Sequence, residues 1–389
     1  MLDEITVLDL SRYLPGPYAT RVLADLGAKV IKIEDPRGGD PIRGAPPFVK
    51  DQSALHLELN RNKKGLTLNF TQGPAREIFY KLVGSSDVVV ESFRPGVTSR
   101  LGIDYESVKA HNPGIIYCSI SGYGQDGPFC QRAGHDINYI ARSGVLGLNV
   151  DAAGTPVLPP IQVADLASGA MLALTGILAA LYDREKTGKG HHIDISMLDG
   201  ALALLPVAFA YTKSGQSKGV GEETDLSGEL PFYNVYQTAD KKFLSVGAIE
   251  LKFWQNFCRA IERPDLISKQ LLEGKERKWL FKELQNTLQQ RTQAEWMRRF
   301  DGLDVCCEPV QSIDEVLSDP QVQYRKMIRH TTHPVLGKLM ELASPLKLSG
   351  FESPQSQPAP RLGEHNQEIL RALGYSDREI QEFKASEVL

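Results

Sequence analysis

Four short, β-branched apolar runs punctuate the first third of the chain: residues 5–10 (ITVLDL), 29–34 (KVIKIE), 87–93 (DVVVESF) and 114–121 (GIIYCSIS). Runs of this length with few polar breaks predict strands buried on both faces. Between them, apolar positions recur at helical spacing. Pro17 to Leu26 predicts one helix, stopped at Gly27; Gly73-Pro74 opens another that runs to Val83; Tyr105 to His111 fits a short third. Strands alternating with helices predict parallel βαβ units. The large domain is therefore expected to be α/β, with a doubly wound, mostly parallel sheet and its ligand at the carboxyl ends of the strands.

The pattern then changes. Leu166 to Tyr182 is an uncharged stretch of 17 residues. A membrane span needs about 20 residues and positive flanks, whereas this one lies between Asp165 and Asp183, so a buried helix of a soluble core is expected. His191 to Met197 reads as a further strand, and Leu198 to Tyr211 as an apolar helix kinked at Pro206. Residues 213–229 are polar and glycine-rich, as in a linker or mobile loop. Leu230 to Ala248 has a hairpin pattern with Thr238-Ala239-Asp240-Lys241 at its turn, and 251–300 is helical and charged. This places a smaller α+β domain at 226–325, after a large domain at 1–225. Residues 326–389 hold a turn-rich stretch at 333–350, a Pro/Ser-rich segment at 353–361 and a closing helix from Glu364, and are expected to return to the large domain.

A length of 389 residues agrees with two domains. The formal charge of −4 supplies no basic field for nucleic acid. Five cysteines stand without a CxxC pair, which suits a reducing compartment. The first residues run straight into a strand pattern with no cationic segment, and a cytoplasmic location is expected.

Gly134 to Asp165 carries the most chemistry. His135 stands beside Asp136, and a second carboxylate, Asp165, precedes the apolar helix. A base and an acid on separate segments flank one carbon atom if they face one another. That arrangement moves a proton from one face of a substrate to the other, with no cofactor when the substrate holds the resulting charge. Asp165 is equally suited to capping its helix, and the amides near it are candidate donors to an oxyanion. Three basic groups sit in turn-like places: Arg37 and Arg43; Arg61, Lys63 and Lys64; and Arg94. Together they suit a polyphosphate. Gly122 to Gly127 matches GxGxxG, but Pro128-Phe129-Cys130 follows where a helix should open, so a loop is expected rather than a nucleotide cradle. His191-His192 with Asp194, and His330 with His333, lack a full ligand set, and no metal is expected.

The segments Leu14-Pro15-Gly16-Pro17, Ala24-Asp25-Leu26-Gly27-Ala28-Lys29-Val30, Asn60-Arg61-Asn62-Lys63-Lys64, Phe93-Arg94-Pro95-Gly96, Gly122 to Pro128 and Gly188-Lys189-Gly190 carry a resemblance to the class III CoA-transferase superfamily (CaiB/BaiF). It runs nearly end to end. Within the superfamily, Gly134-His135-Asp136-Ile137-Asn138-Tyr139 and Val246-Gly247-Ala248-Ile249-Glu250 are most similar to the α-methylacyl-CoA racemases. The resemblance implies an interlocked homodimer acting on an acyl-CoA, with no separate cofactor, metal or membrane. It implies that Arg37, Asn60, Arg61, Lys63 and Arg94 contact CoA. Gly134, Asp136, Asn138 and Tyr139 would line the thioester, and Asp136, counted with the catalytic residues, would hold the loop or the thioester end. His135 and Asp165 would exchange the α-proton of a 2-methylacyl-CoA through an enolate, with Glu250 orienting His135. The alternative implied is a CoA-transferase in which Asp165 forms a mixed anhydride with the acyl group.

Overall fold

The computed structural model describes all residues except 152 and 217–225. Its six-stranded sheet is parallel throughout and is formed by β1 (Thr6–Asp9), β2 (Lys29–Glu34), β3 (Lys63–Thr67), β4 (Val88–Glu91), β5 (Ile116–Ser121) and β6 (His192–Ser196). The spatial order is β3-β2-β1-β4-β5-β6. Strand order therefore reverses between β1 and β4. In an open parallel sheet, the loops leaving the carboxyl ends of the two strands at such a reversal part and leave a crevice for a ligand.

Each predicted strand in the first third is present, and its inward residues explain why. Val7, Leu8, Val88, Val89, Val90, Ile116 and Cys118 are all fully buried, because helices cover both faces of the sheet. One face packs on α1 (Pro15–Asp25) and the long helix Val163–Thr187; the other packs on α2 (Gly73–Val83) and the closing helices Asn366–Ala372 and Asp377–Ala385. The apolar helix is longer than expected. By length and composition it is capable of crossing a membrane, but Ala173, Leu174, Ile177 and Leu181 pack into the core between α1 and the sheet.

Three expectations are corrected. Strand β3 falls where a basic turn was expected. It begins at Lys63, and its Gly65, Leu66 and Thr67 are buried. The apolar run from Leu198 is not one kinked helix: it stops at Ala203 and a separate helix, Pro206–Lys213, follows, since Pro206 lacks the N–H needed to continue the first. The stretch 333–350, expected to be turn-rich, supplies the second strand of an antiparallel hairpin, Ile328–His333 with Gly337–Leu342.

The chain forms two compact units, residues 1–205 with 326–389, and residues 206–325. The division lies at Leu205 and not near 225, and the C-terminal segment belongs to the larger unit. Residues 217–225 of the expected linker lie outside the described residues. The smaller unit has a three-stranded antiparallel sheet: Tyr233–Gln237 and Phe243–Gly247 form the predicted hairpin, and Cys307–Pro309 pairs with the latter. Its helices bury Trp254, Phe257, Leu280, Leu284 and Trp296. Both indoles find acceptors inside: Trp254 Nε1 donates to Ile267 O at 3.1 Å and Trp296 Nε1 to Leu288 O at 2.8 Å.

Candidate active site

The crevice predicted by the strand order is occupied by a cavity of about 550 Å3. Arg12, Tyr13 and Pro15 reach it after β1, Ser92, Phe93 and Arg94 after β4, Ser121 and Gly122 from the end of β5, and Met197 after β6. His135, Gly134, Asn138, Tyr139 and Asp165 complete the wall. The two residues singled out for proton transfer therefore line one cavity.

Local structure explains their placement. His135 is the N-cap of α3 (Asp136–Ser143), and its backbone N–H donates to Asn138 Oδ1 at 3.0 Å. Asp165 lies in the first turn of the long helix, which opens with a π-helical segment, Val163–Ala170. The two helix starts are tied by Asp136, whose Oδ1 accepts from Ala164 N at 2.7 Å and Asp165 N at 3.0 Å. This tie gives Asp136 a loop-holding part and alters the one expected of the amides. Asp136 is a clamp, and the amides of Ala164 and Asp165 are no longer free for an oxyanion. Leu166 N is also engaged, by Gln162 O at 2.9 Å. The first two amides of α3, those of Asp136 and Ile137, have no acceptor within their helix.

Electrostatics separate the two groups. Burial, and next the negative charge of Asp136, push the Asp165 carboxyl up to about 7. Asp165 is half-buried and among the described residues has no cation paired with it, while His135 is exposed to the cavity. A neutral carboxyl and an imidazole thus face one space near neutral pH.

Tyr139 sets the spacing of the wall. It is buried, its hydroxyl donates to Gly134 O at 2.6 Å, and its ring meets Tyr123 edge-to-face at 5.1 Å. A Cβ on Gly122 would lie 2.4 Å from this ring. The ring is pinned at both ends, so Gly122→Ala is expected to cost about 1–3 kcal/mol through overpacking, measured as a lower urea midpoint. The glycine-rich loop thus serves as a wall. Gly124 and Gly127 turn it with φ of +88° and +82°, and no helix opens behind them.

A second cavity, of about 340 Å3, lies over the ends of β1, β2 and β3. Arg37, Asp35, Asn69, Phe70 and Thr71 line it, and it shares Arg12 and Phe93 with the first. The Arg12 guanidinium stacks over Phe93 at 4.9 Å. Arg37 is exposed there and paired with Asp35 at 2.6 Å.

The remaining basic residues lie elsewhere, and the expectation that Asn60, Arg61 and Lys63 contact CoA does not match their surroundings. All three are buried. Arg61 pairs with Asp25 at 2.8 Å and Glu58 at 2.9 Å. Asn60 Oδ1 accepts from Lys63, whose ammonium also reaches Asp9 Oδ2 at 2.9 Å, Thr20 Oγ1 at 2.8 Å and Pro17 O at 2.9 Å. Lys63 opens its strand, so its Cα lies at the end of the sheet away from the crevice, and its side chain threads through the core. Burial lowers this lysine to about 8, against the pull of Asp9. Lys32, between Asp9 at 4.0 Å and Asp40 at 3.1 Å, completes a buried cluster of two acids and two bases. Burial works against the Asp9 carboxylate, but the two lysines hold it well below its ordinary range.

Glu250 is exposed at the N-cap of Leu251–Ala260, in the smaller unit. His191 pairs with Asp183, His192 stacks on Tyr105, and His333 Nδ1 accepts the amides of Val335 and Leu336. Among the described residues no three His, Cys, Asp or Glu side chains are grouped to hold a metal ion. Sequence reasoning missed Arg12, Tyr13 and Arg132 in the first cavity. For Arg12 and Tyr13 the available signal was position, just beyond the first strand of a doubly wound sheet.

Residues 2–366 match the family profile described as CoA-transferase family III. Among curated proteins, the chain is 35% identical to the human Succinyl-CoA:glutarate CoA-transferase, over 100% of this chain and 90% of that one. It is 34% identical to the human Alpha-methylacyl-CoA racemase, over 100% of this chain and 97% of the relative. Among solved structures, a CAIB/BAIF family protein from Brucella suis superposes with a TM-score of 0.83 at 28% identity, covering 96% of this chain and 99% of that one. Matched from end to end in sequence and in fold, this chain belongs to CoA-transferase family III.

Proposed function

We propose that the protein epimerises the α-carbon of 2-methylacyl-CoA thioesters, with His135 and Asp165 as the two proton carriers. The observation that carries this reading is the pairing of an exposed imidazole with a carboxyl held neutral up to about pH 7 on one cavity wall. His135 removes the α-proton from one epimer, and protonated Asp165 delivers a proton to the opposite face. For the other epimer the roles reverse. The thioester oxygen takes the charge of the enolate, which backbone or side-chain donors of the cavity wall would stabilise. The CoA nucleotide occupies the second cavity beside Arg37, and its chain passes Arg12, Phe93 and Arg94 toward the first. The working form is an interlocked homodimer. Met171, Leu172, Leu202 and Leu204 leave apolar surface exposed on the larger unit, which a second copy covers.

The test is incubation with a single 2-methylacyl-CoA epimer in deuterated water. Deuterium at the α-carbon with loss of stereochemical purity is the expected result. No exchange, with CoA moving to an added carboxylic acid, overturns it.

Identity to the human Succinyl-CoA:glutarate CoA-transferase favours a second reading, in which the Asp165 carboxylate attacks the thioester carbonyl. A carboxyl that stays protonated to about pH 7 is a weak nucleophile below it, and this reading gives His135 only a positioning role. Attack expels CoA and leaves an acyl-Asp165 mixed anhydride, and trapping of that anhydride, or of the Asp165–CoA thioester formed when CoA returns, with hydroxylamine decides between the two.

The reactive pair carries one proton in either direction, so both directions share one pH profile of kcat/KM. Its alkaline limb falls as the pair loses its last proton, and the raised Asp165 carboxyl moves that limb to higher pH. Asp136→Asn keeps an oxygen for the Ala164 and Asp165 amides and removes the like charge. The alkaline limb is then expected at lower pH, as read from kcat/KM between pH 5 and 9.

A further inference from the structure

Tyr13 has a φ of +62°. A bulky residue in this left-handed region is strained, and such strain persists only where the surroundings impose it; an outlier of this kind points toward function. Here three successive backbone amides are each captured by a side chain. Ser11 N donates to Asp9 Oδ1 at 3.0 Å, Arg12 N to Ser92 Oγ at 2.9 Å and Tyr13 N to Asp40 Oδ1 at 3.1 Å. Asp9 and Asp40 belong to the buried charge cluster, so the turn is anchored in the core.

Core burial does not account for the tyrosine, which is 47% exposed. If the turn alone mattered, glycine would take this φ without strain. What the turn achieves is to bring the Tyr13 ring edge-to-face against the His135 imidazole, with centroids 6.1 Å apart and planes at 82°. Both rings line the first cavity.

We infer that Tyr13 is a positioning residue for His135, fixing the plane in which the imidazole meets the substrate. Asn138 holds the backbone of His135, and Tyr13 holds its ring. The kinetic consequence rests on the epimerase reading; the contact itself does not.

The experiment compares Tyr13→Ala, Tyr13→Gly and Tyr13→Phe. In ¹³C-histidine-labelled protein, with the signal assigned through His135→Gln, the Ala and Gly variants should shift the His135 resonance and Phe should restore it. In an Asp165→Asn background, where only His135 exchanges the α-proton, Tyr13→Ala should lower kcat for exchange about tenfold, the scale of one aromatic pair, with KM nearly unchanged. In a His135→Gln background it should leave exchange through Asp165 unaltered. Tyr13→Gly should melt at or above the wild-type temperature, which shows the fold intact. An unmoved His135 signal, or equal loss at both faces, overturns the inference. A shifted signal in a protein that exchanges no α-proton supports the placement of His135 and refutes the epimerase instead.

Discussion

Replacing Asp165 with asparagine is expected to lower net epimerisation by about 10²–10⁴-fold, the usual contribution of a positioned acid or base. Asparagine carries no proton to give, so an enolate formed by His135 is reprotonated from the face it lost. α-Proton exchange should survive for one epimer, with configuration retained, and His135→Gln should spare exchange of the opposite epimer. Single-epimer exchange followed by NMR and chiral chromatography checks both. Loss of all exchange in Asp165→Asn would count against a divided pair and in favour of covalent chemistry. The same variant has a stability signature. Asp165 titrates near 7 when folded and about 3.9 when unfolded. The folded state holds the proton more tightly, so the protein loses stability as pH rises from about 4 through 7. Asp165→Asn should therefore be more stable than wild type at pH 8, by about 1–2 kcal/mol after solvent screening of a half-buried group. At pH 4 the difference should vanish.

The second large effect concerns Lys63. Lys63→Met removes one base from the buried cluster and leaves Asp9 facing Lys32 at 4.0 Å, with the Lys63 hydrogen bond gone. Breaking a buried ion pair on one side costs about 3–5 kcal/mol. Urea unfolding should register that loss, while the Kd for CoA changes little. A large fall in CoA affinity at unchanged stability would return Lys63 to the ligand. The cluster also anchors the turn at Ser11 to Tyr13, so a smaller, secondary loss of kcat is expected.

The parallel sheet was legible because its strands are covered on both faces, and such strands write continuous apolar runs. Strand β3 was not, because it begins with two lysines; the sequence does not say that the first threads its ammonium into the core while the second stays outside. The hairpin at 328–342 was hidden for the opposite reason. Its exposed positions include His330, Thr332 and Lys338, and these read as a turn-rich surface. His135 and Asp165 were legible as types of group. The clamp from Asp136 to the amides of Ala164 and Asp165 was not, since no local pattern tells a carboxylate which distant N–H it will meet. Arg61 and Lys63 looked like Arg37 and Arg94 in sequence. Only burial and partners separate a charge that holds the core from one that faces a ligand.

The meeting of the two cavities at Arg12 and Phe93 has a consequence for partial ligands. A two-ended molecule laid across that junction acts as a tethered pair, its nucleotide raising the local concentration of its acyl end. On the proposed placement of CoA, an acyl-pantetheine stripped of the nucleotide is expected to fit the reacting hollow but to arrive untethered. Free nucleotide added alongside is then expected to fill its own hollow without restoring the link.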